Sequence, residues 1–307
     1  MARQITDKSA VLFKYNGTAT SANAVTVTET PFLSPDVKSQ EYKEIGSGKL
    51  GQTKNYVDAN NTTVQFDLVA MLRGNDKTGV APETPPAIAD LLKACGLTET
   101  IGADNVTYTP NHNDVSSSQA VVYIDDYKRV IDGAIATLKI SGTVGECAKA
   151  TFSVSGYTTP AATSEVNPTV TLDTESLMIV SRVSAITVDG STINAESFDF
   201  DIGNDIKSIY AISVGEFIRT DFKPTIALSG IKTKGDESGW SDLIAEDVRE
   251  IIIVLGSGAG KTVTITASQA KTSEMSESDN DGMVNFSRTF RCQGDANGDN
   301  HYSIKWS

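Results

Sequence analysis

Apolar and polar residues alternate along most of this chain with a period of two, the spacing of a strand that buries one face. The longest example runs Val64-Gln-Phe-Asp-Leu-Val-Ala-Met-Leu72, which places Val64, Phe66, Leu68, Ala70 and Leu72 on one face and Asp67 on the other. Val25-Thr-Val-Thr28, Ala136-Thr-Leu-Lys-Ile140 and Ala150-Thr-Phe-Ser-Val154 alternate likewise, and Val121-Val-Tyr-Ile124 is a short apolar run ending at an Asp-Asp turn. Further on, Phe198, Phe200 and Ile202 share a face opposite Asp199 and Asp201, and residues 225–228, 251–255, 262–267 and 284–290 also read as strands. The abundance of Thr, Val and Ile suits pleated, half-buried surfaces.

Two segments carry the helical period instead. Ile88, Leu91, Leu92 and Cys95 fall at i, i+3, i+4 and i+7, with Pro86 before the first turn and Gly96 after the last. Trp240, Leu243, Ile244 and Val248 make a second stripe, so each segment is expected to lay its apolar side on a sheet. The order of elements repeats. A strand ending in Leu72-Arg-Gly74, a turn-rich loop, the first helix and three strands closing on Gly156 is matched by a strand ending in Leu228-Ser-Gly230, a loop, the second helix and three strands closing on Gly294. This predicts two copies of one module, residues 1–160 and 161–307, with an insertion over 97–118 in the first.

Composition narrows the function. Lys and Arg number 26 against 39 Asp and Glu, a net charge of −13, which opposes binding to nucleic acid or anionic membrane through neutralised phosphates. No stretch has the roughly 18 consecutive apolar residues of a membrane helix, and no signal-peptide apolar core opens the chain, so a soluble protein made in a cytoplasm is expected. The three cysteines, Cys95, Cys147 and Cys292, are far apart and form no CxxC, so they read as reduced thiols.

The candidate chemical motifs fail on their spacing. Leu255-Gly-Ser-Gly-Ala-Gly-Lys-Thr262 puts Leu255 where a phosphate loop needs its first Gly, and the chain then continues as an alternating strand where that loop would open a helix. Asp295-Ala-Asn-Gly-Asp299 begins like a calcium loop, but Asn300 and Trp306 occupy the places of its Gly and its bidentate Glu. His112 and His301, the only histidines, assemble no Ser-His-Asp or metal-ligand spacing. Catalysis needs groups positioned against one another, so the chain is read as no enzyme, without cofactor or metal.

A family resemblance rests on the order Pro31-Phe-Leu-Ser-Pro35, Gly46-Ser-Gly-Lys-Leu-Gly51, Leu72-Arg-Gly74, Ala81-Pro-Glu83, Leu91-Leu-Lys-Ala-Cys-Gly96, Tyr108-Thr-Pro110, Val121-Val-Tyr-Ile-Asp125, Ile131-Asp-Gly-Ala134 and Phe152-Ser-Val-Ser-Gly156. That order resembles the major tail tube proteins of long-tailed, non-contractile bacteriophages. It covers most of the first half, while the second fits more loosely through Phe198-Asp-Phe-Asp-Ile-Gly203.

The resemblance implies a mainly β fold of tandem β-sandwich or half-barrel modules, each with one flanking helix, whose inner strands close a large β-barrel on oligomerisation. It implies a structural virion protein, assembled in the host cytoplasm. Its rings, of three chains with pseudo-sixfold shape or of six, would stack into a tube around a tape-measure protein. Tail terminator and distal tail proteins would be further partners, and DNA would pass without specific binding. An inner tube of a contractile tail or of a secretion-type injection system is the alternative.

On this reading Asp67, Asp199 and Asp201 are candidates for the lumen wall, where acidic charge repels phosphate. The turn-rich stretches 31–57 and 75–85 are candidates for contacts between rings, through Gly46, Lys49, Leu50, Lys54, Tyr56, Asn75 and Lys77. Residues 1–23 read as an arm onto a neighbour or a frayed end.

Overall fold

The computed structural model describes residues 5–43, 53–75, 84–113, 118–158, 163–181, 184–212, 214–233, 238–245, 247–258 and 260–307. Its strands through the first half are β1 (Ser9–Tyr15), β2 (Ala24–Val25), β3 (Ser34–Lys43), β4 (Thr53–Met71), β5 (Leu97–Ile101), β6 (Val106–Pro110), β7 (Ser118–Ile124), β8 (Tyr127–Thr143), β9 (Lys149–Thr158) and β10 (Thr163–Ser164). The rest are β11 (Ala185–Val188), β12 (Ser191–Thr192), β13 (Ala195–Asp201), β14 (Asn204–Ala211), β15 (Val214–Phe222), β16 (Thr225–Ile231), β17 (Val248–Gly256), β18 (Thr262–Asn280), β19 (Met283–Cys292) and β20 (Ser303–Trp306). Two short helices, α1 (Ala89–Ala94) and α2 (Ser238–Ala245), complete a mainly β, antiparallel architecture.

The hydrogen-bonded order β3-β4-β9-β8-β7-β1-β2 recurs as β13-β16-β19-β18-β17-β11-β12. In each series one long strand belongs to two plies. β8 shifts register between Asp132 and Ile135, and β18 between Thr272 and Glu274. Such breaks bend a strand. The β1–β7 ply thereby comes back over β4–β9, and Val11, Phe13, Ala120 and Val122 share one core with Phe66, Leu68, Phe152 and Val154. The same continuous cluster takes in Ile251, Ile253, Ile265, Phe290 and Trp306 from the second series.

The two series are joined by backbone. β8 pairs with β13 from Lys139↔Asp201 to Thr143↔Ser197, and β20 bridges β6 and β18. The result is an unbroken run β3-β4-β9-β8-β13-β16-β19-β18. Among the described residues no pairing closes it into a barrel.

Several expectations change. Residues 9–15 form β1 in the core, neither an arm nor a frayed end, because Val11, Leu12 and Phe13 are buried on both faces of the strand. The stretch 31–57 is not a free loop. Outside residues 44–52, which lie beyond the described set, it belongs largely to β3 and the start of β4, whose polar, turn-rich composition masked a two-stranded ribbon. Of 25–28 only Val25 lies in a strand. The first-half insertion is ordered in part as β5 and β6.

Candidate assembly surfaces

Along the run from β4 to β18 the side chains alternate between the core and an open face. Core-facing positions include Phe66, Leu68, Phe152, Leu138, Ile140, Phe198, Phe200, Ile226, Leu228 and Phe290. The other face reads across the strands as ordered rows. One runs Val69, Thr151, Lys139, Asp201, Thr225, Arg291, Lys271, and the next Met71, Lys149, Ser141, Asp199, Ala227, Thr289, Glu274. A third runs Thr143, Ser197, Ser229, Ser287, Ser276, with Ser197 Oγ 2.6 Å from Ser229 Oγ.

Asp67, Asp199 and Asp201 all stand on this face, Asp67 beside Ser153. Ser153 Oγ donates to Asp67 Oδ1 at 2.5 Å, and Gly203 N donates to Asp201 Oδ1 at 2.7 Å. Lys139 Nζ lies 2.7 Å from Asp199 Oδ2, and that hydrogen bond holds the ammonium above its ordinary range. The acids are matched by Lys139, Lys149, Lys271 and Arg291, so the face is rich in hydroxyls and locally balanced in charge rather than strongly acidic.

Two β-ribbons project from the sheet. The second, β14–β15, lies against the first half. Asn204 Nδ2 donates to Cys95 O at 2.7 Å and Ala136 O at 3.1 Å, and Arg219 donates to Gly96 O at 3.1 Å and to Asn111 O. Cys95 and Gly96 directly follow α1, where Gly96 adopts φ +81° and ends the helix, while Ala136 lies in β8 and Asn111 follows β6. Farther out, Tyr157 packs on Phe217 with ring centroids 4.9 Å apart, and Tyr210 donates to Asp58 Oδ2 at 2.8 Å. The first ribbon, β3 with the start of β4, is exposed along both strands and carries Tyr42, Tyr56 and Val57 in water.

Of the positions read as ring contacts, Lys54 and Tyr56 are exposed on this first ribbon. Asn75 is buried, its Nδ2 donating to Thr84 O at 3.3 Å. Gly46, Lys49, Leu50 and Lys77 lie outside the described residues.

The helices differ in a way the periodicity did not foresee. α1 buries Leu91, Leu92 and Cys95 completely, as its stripe predicts. α2 does the reverse. Trp240 is 51% and Ile244 81% exposed, whereas Asp242 is 1% exposed. Asp242 Oδ1 is 2.6 Å from Arg249 and Oδ2 is 2.5 Å from Arg288, a buried arginine whose Nε also donates to Thr272 Oγ1 at 2.9 Å. Two charge-assisted contacts, not apolar burial, therefore pin α2. The pattern had only an odd Asp inside an apolar stripe to suggest this.

The two histidines, unpaired by any spacing, meet. Their ring centroids are 5.9 Å apart, Phe222 packs 4.8 Å from His301, and His112 Nε2 is 3.1 Å from Asp299. Burial, reinforced by His112, pushes the His301 imidazole below its ordinary value. The β6–β20 pairing brings them together from distant parts of the chain.

The other motifs resolve into turns. β17 and β18 pair directly across 256–262, with Gly256 opposite Thr262, so the glycine run is a hairpin connection. Asp295 Oδ1 accepts from the backbone of Asn297 and Asp299, and Oδ2 from Asn300, leaving the carboxylate engaged by its own loop. Among the described residues no three His, Cys, Asp or Glu side chains gather as metal ligands, and no helix is long and apolar enough to cross a membrane. Neither a known family model nor a curated protein matches the chain.

Proposed function

We propose that the protein is the building block of a phage-type tail tube, a structural subunit that joins edge to edge into rings. The observation that carries this reading is the β8–β13 joint. It stitches β8 of the first series to β13, the first strand of the second, and among the described residues β3 and the part of β18 beyond Thr272 pair on one side only, at the two ends of the run. These are the same two kinds of edge that meet inside the chain. Open edges invite pairing, and a closed ring removes them.

On this reading residues 1–160 and 161–307 are two copies of one module, and three chains give six modules around the axis. The hydroxyl-rich face with Asp67, Asp199 and Asp201 lines the lumen. Small hydroxyls and locally paired charges give phosphates no concentrated basic patch to grip, which suits a channel that encloses a tape-measure protein and later passes DNA. The exposed first ribbon supplies contacts between copies, with Lys54 and Tyr56 among them. Tail terminator and distal tail proteins would cap the tube's ends.

Negative-stain microscopy of the purified full chain at high concentration tests the proposal. Hollow tubes or rings are expected. A protein that stays monomeric at every concentration contradicts it.

A further inference from the structure

Inside the chain, the β14–β15 ribbon of the second series docks beside the end of α1 in the first. Among the described residues no ribbon of the same chain packs at the corresponding place beside α2, and there α2 and the start of β17 expose Trp240, Ile244 and Val248. Isolated apolar side chains on a surface are ordinary, but a tryptophan and two aliphatics grouped on one helix and the strand after it form a contact surface. The Trp240 indole N–H is held by Glu277 Oε1 at 3.1 Å, and Glu277 is held in turn by Lys232 at 2.6 Å, so the ring is fixed in its outward position.

The first ribbon meets the second through Asp58 and Tyr210, but farther out it exposes Tyr42, Tyr56 and Val57. Both ribbons shift register near their base, between Asp205 and Ile206 in β14 and between Val37 and Ser39 in β3. Counted outward from that break, Val57 (opposite Ser39) stands where Arg219 (opposite Ile206) stands, and Tyr56 stands where Ile218 stands. Arg219 is the residue that grips Gly96 O, just after α1, and Asn111 O, just after β6. Polar meets polar at the intrachain joint. At the open one, exposed Tyr56 and Val57 match exposed Ile244 and Val248. A two-stranded ribbon has marginal stability alone in water, so it gains most from such a dock.

We infer that the β3–β4 ribbon of a second copy docks on α2, with Tyr56 and Val57 seated against Trp240, Ile244 and Val248. This rests on the ring reading above and gives its open joint a defined lateral lock. The surface is continuous with the outer edge of β18, where the next copy would join.

A photo-crosslinking amino acid at Ile244 in the full chain tests it, using a mixture of isotopically light and heavy protein at assembling concentration. The expected result is crosslinks from position 244 to residues 34–62 of a different copy, confined to the assembled fraction. Crosslinks elsewhere, or none in rings that do form, overturn the dock while leaving the ring reading intact. Absence of any assembly overturns both. Separately, Ile244→Asp and Val57→Asp should each raise the concentration needed for assembly by roughly tenfold or more. Both positions are exposed, so the thermal melt of the unassembled chain should not move. Assembly unchanged in both variants would also overturn the dock.

Discussion

Trp240 and Asp242 stand two positions apart on α2 and point opposite ways, the indole out to water and the carboxylate sealed between Arg249 and Arg288. That inversion separates α2 from α1. α1 is held by what it buries, and α2 by what it pairs.

Removing the shared acid should therefore be costly. Asp242→Ala leaves Arg288 without its carboxylate partner in a buried site, and breaking such a pair costs about 3–5 kcal/mol. Urea denaturation of the unassembled chain measures it, and a change below about 1 kcal/mol would show that α2 is held by something else. The double replacement Asp242→Leu with Arg288→Met should be milder than the single one, since it leaves no orphaned charge on that pair.

The joint between the two series has a steric weak point at Gly142. A Cβ there would come 2.6 Å from the Phe198 ring and 2.6 Å from Val180. Gly142→Val is expected to destabilise by about 1–3 kcal/mol through overpacking and to loosen β8 from β13. Hydrogen exchange should then accelerate at residues 139–143 and 197–201 ahead of the rest. Uniform exchange with an unchanged melt would refute the joint as described.

How far the sequence alone reaches can be seen at single residues. The face assignments of Asp67, Phe198, Asp199 and Phe200 follow from alternation, because a period of two leaves no choice of side once one face is apolar. Gly230 was visible as a marker of the repeat, but its reason is tertiary: a Cβ would lie 2.1 Å from Asn194 O. The ribbon strands β3, β14 and β15 were hidden, since neither of their faces is buried and no apolar alternation announces them. The α2 stripe misled for a physical reason. Periodicity reports which residues share a side, not which side faces inward, and the pairing of Asp242 with Arg249 and buried Arg288 reversed it. The meeting of His112 and His301 depends on a long-range strand pairing, β6 with β20, that no local spacing encodes.

The histidine contact implies a pH dependence. Burial favours neutral His301 in the folded chain, so its folded pKa lies below the ordinary 6.5. Stability from this group is complete above about pH 6.5 and is lost as the unfolded chain gains a proton that the folded one resists. The melting temperature should fall between pH 7.5 and 5.5, above the range where the carboxylates titrate. His301→Asn should flatten that slope. A wild-type melting temperature that rises over the same interval would contradict the assignment.

The thiols give a simple chemical check. Cys95 and Cys292 are buried, and burial pushes the Cys292 thiol up to about 12 and that of Cys95 higher still. Thiolate is the reactive form. A thiol-specific reagent near neutral pH should label only half-buried Cys147 in the folded chain, and all three after denaturation. Labelling of Cys95 without unfolding would show that α1 does not close over it.

On the proposed reading the β4-to-β18 run closes with copies of itself around an open channel. Cryo-electron microscopy of assembled particles tests this most directly. Rings of three chains with pseudo-sixfold walls are expected, with β18 of one copy beside β3 of the next and Asp67, Asp199 and Asp201 on the inner surface. Particles in which those three aspartates lie on the outer wall, or in which the edges of β18 and β3 remain unpaired, would contradict it.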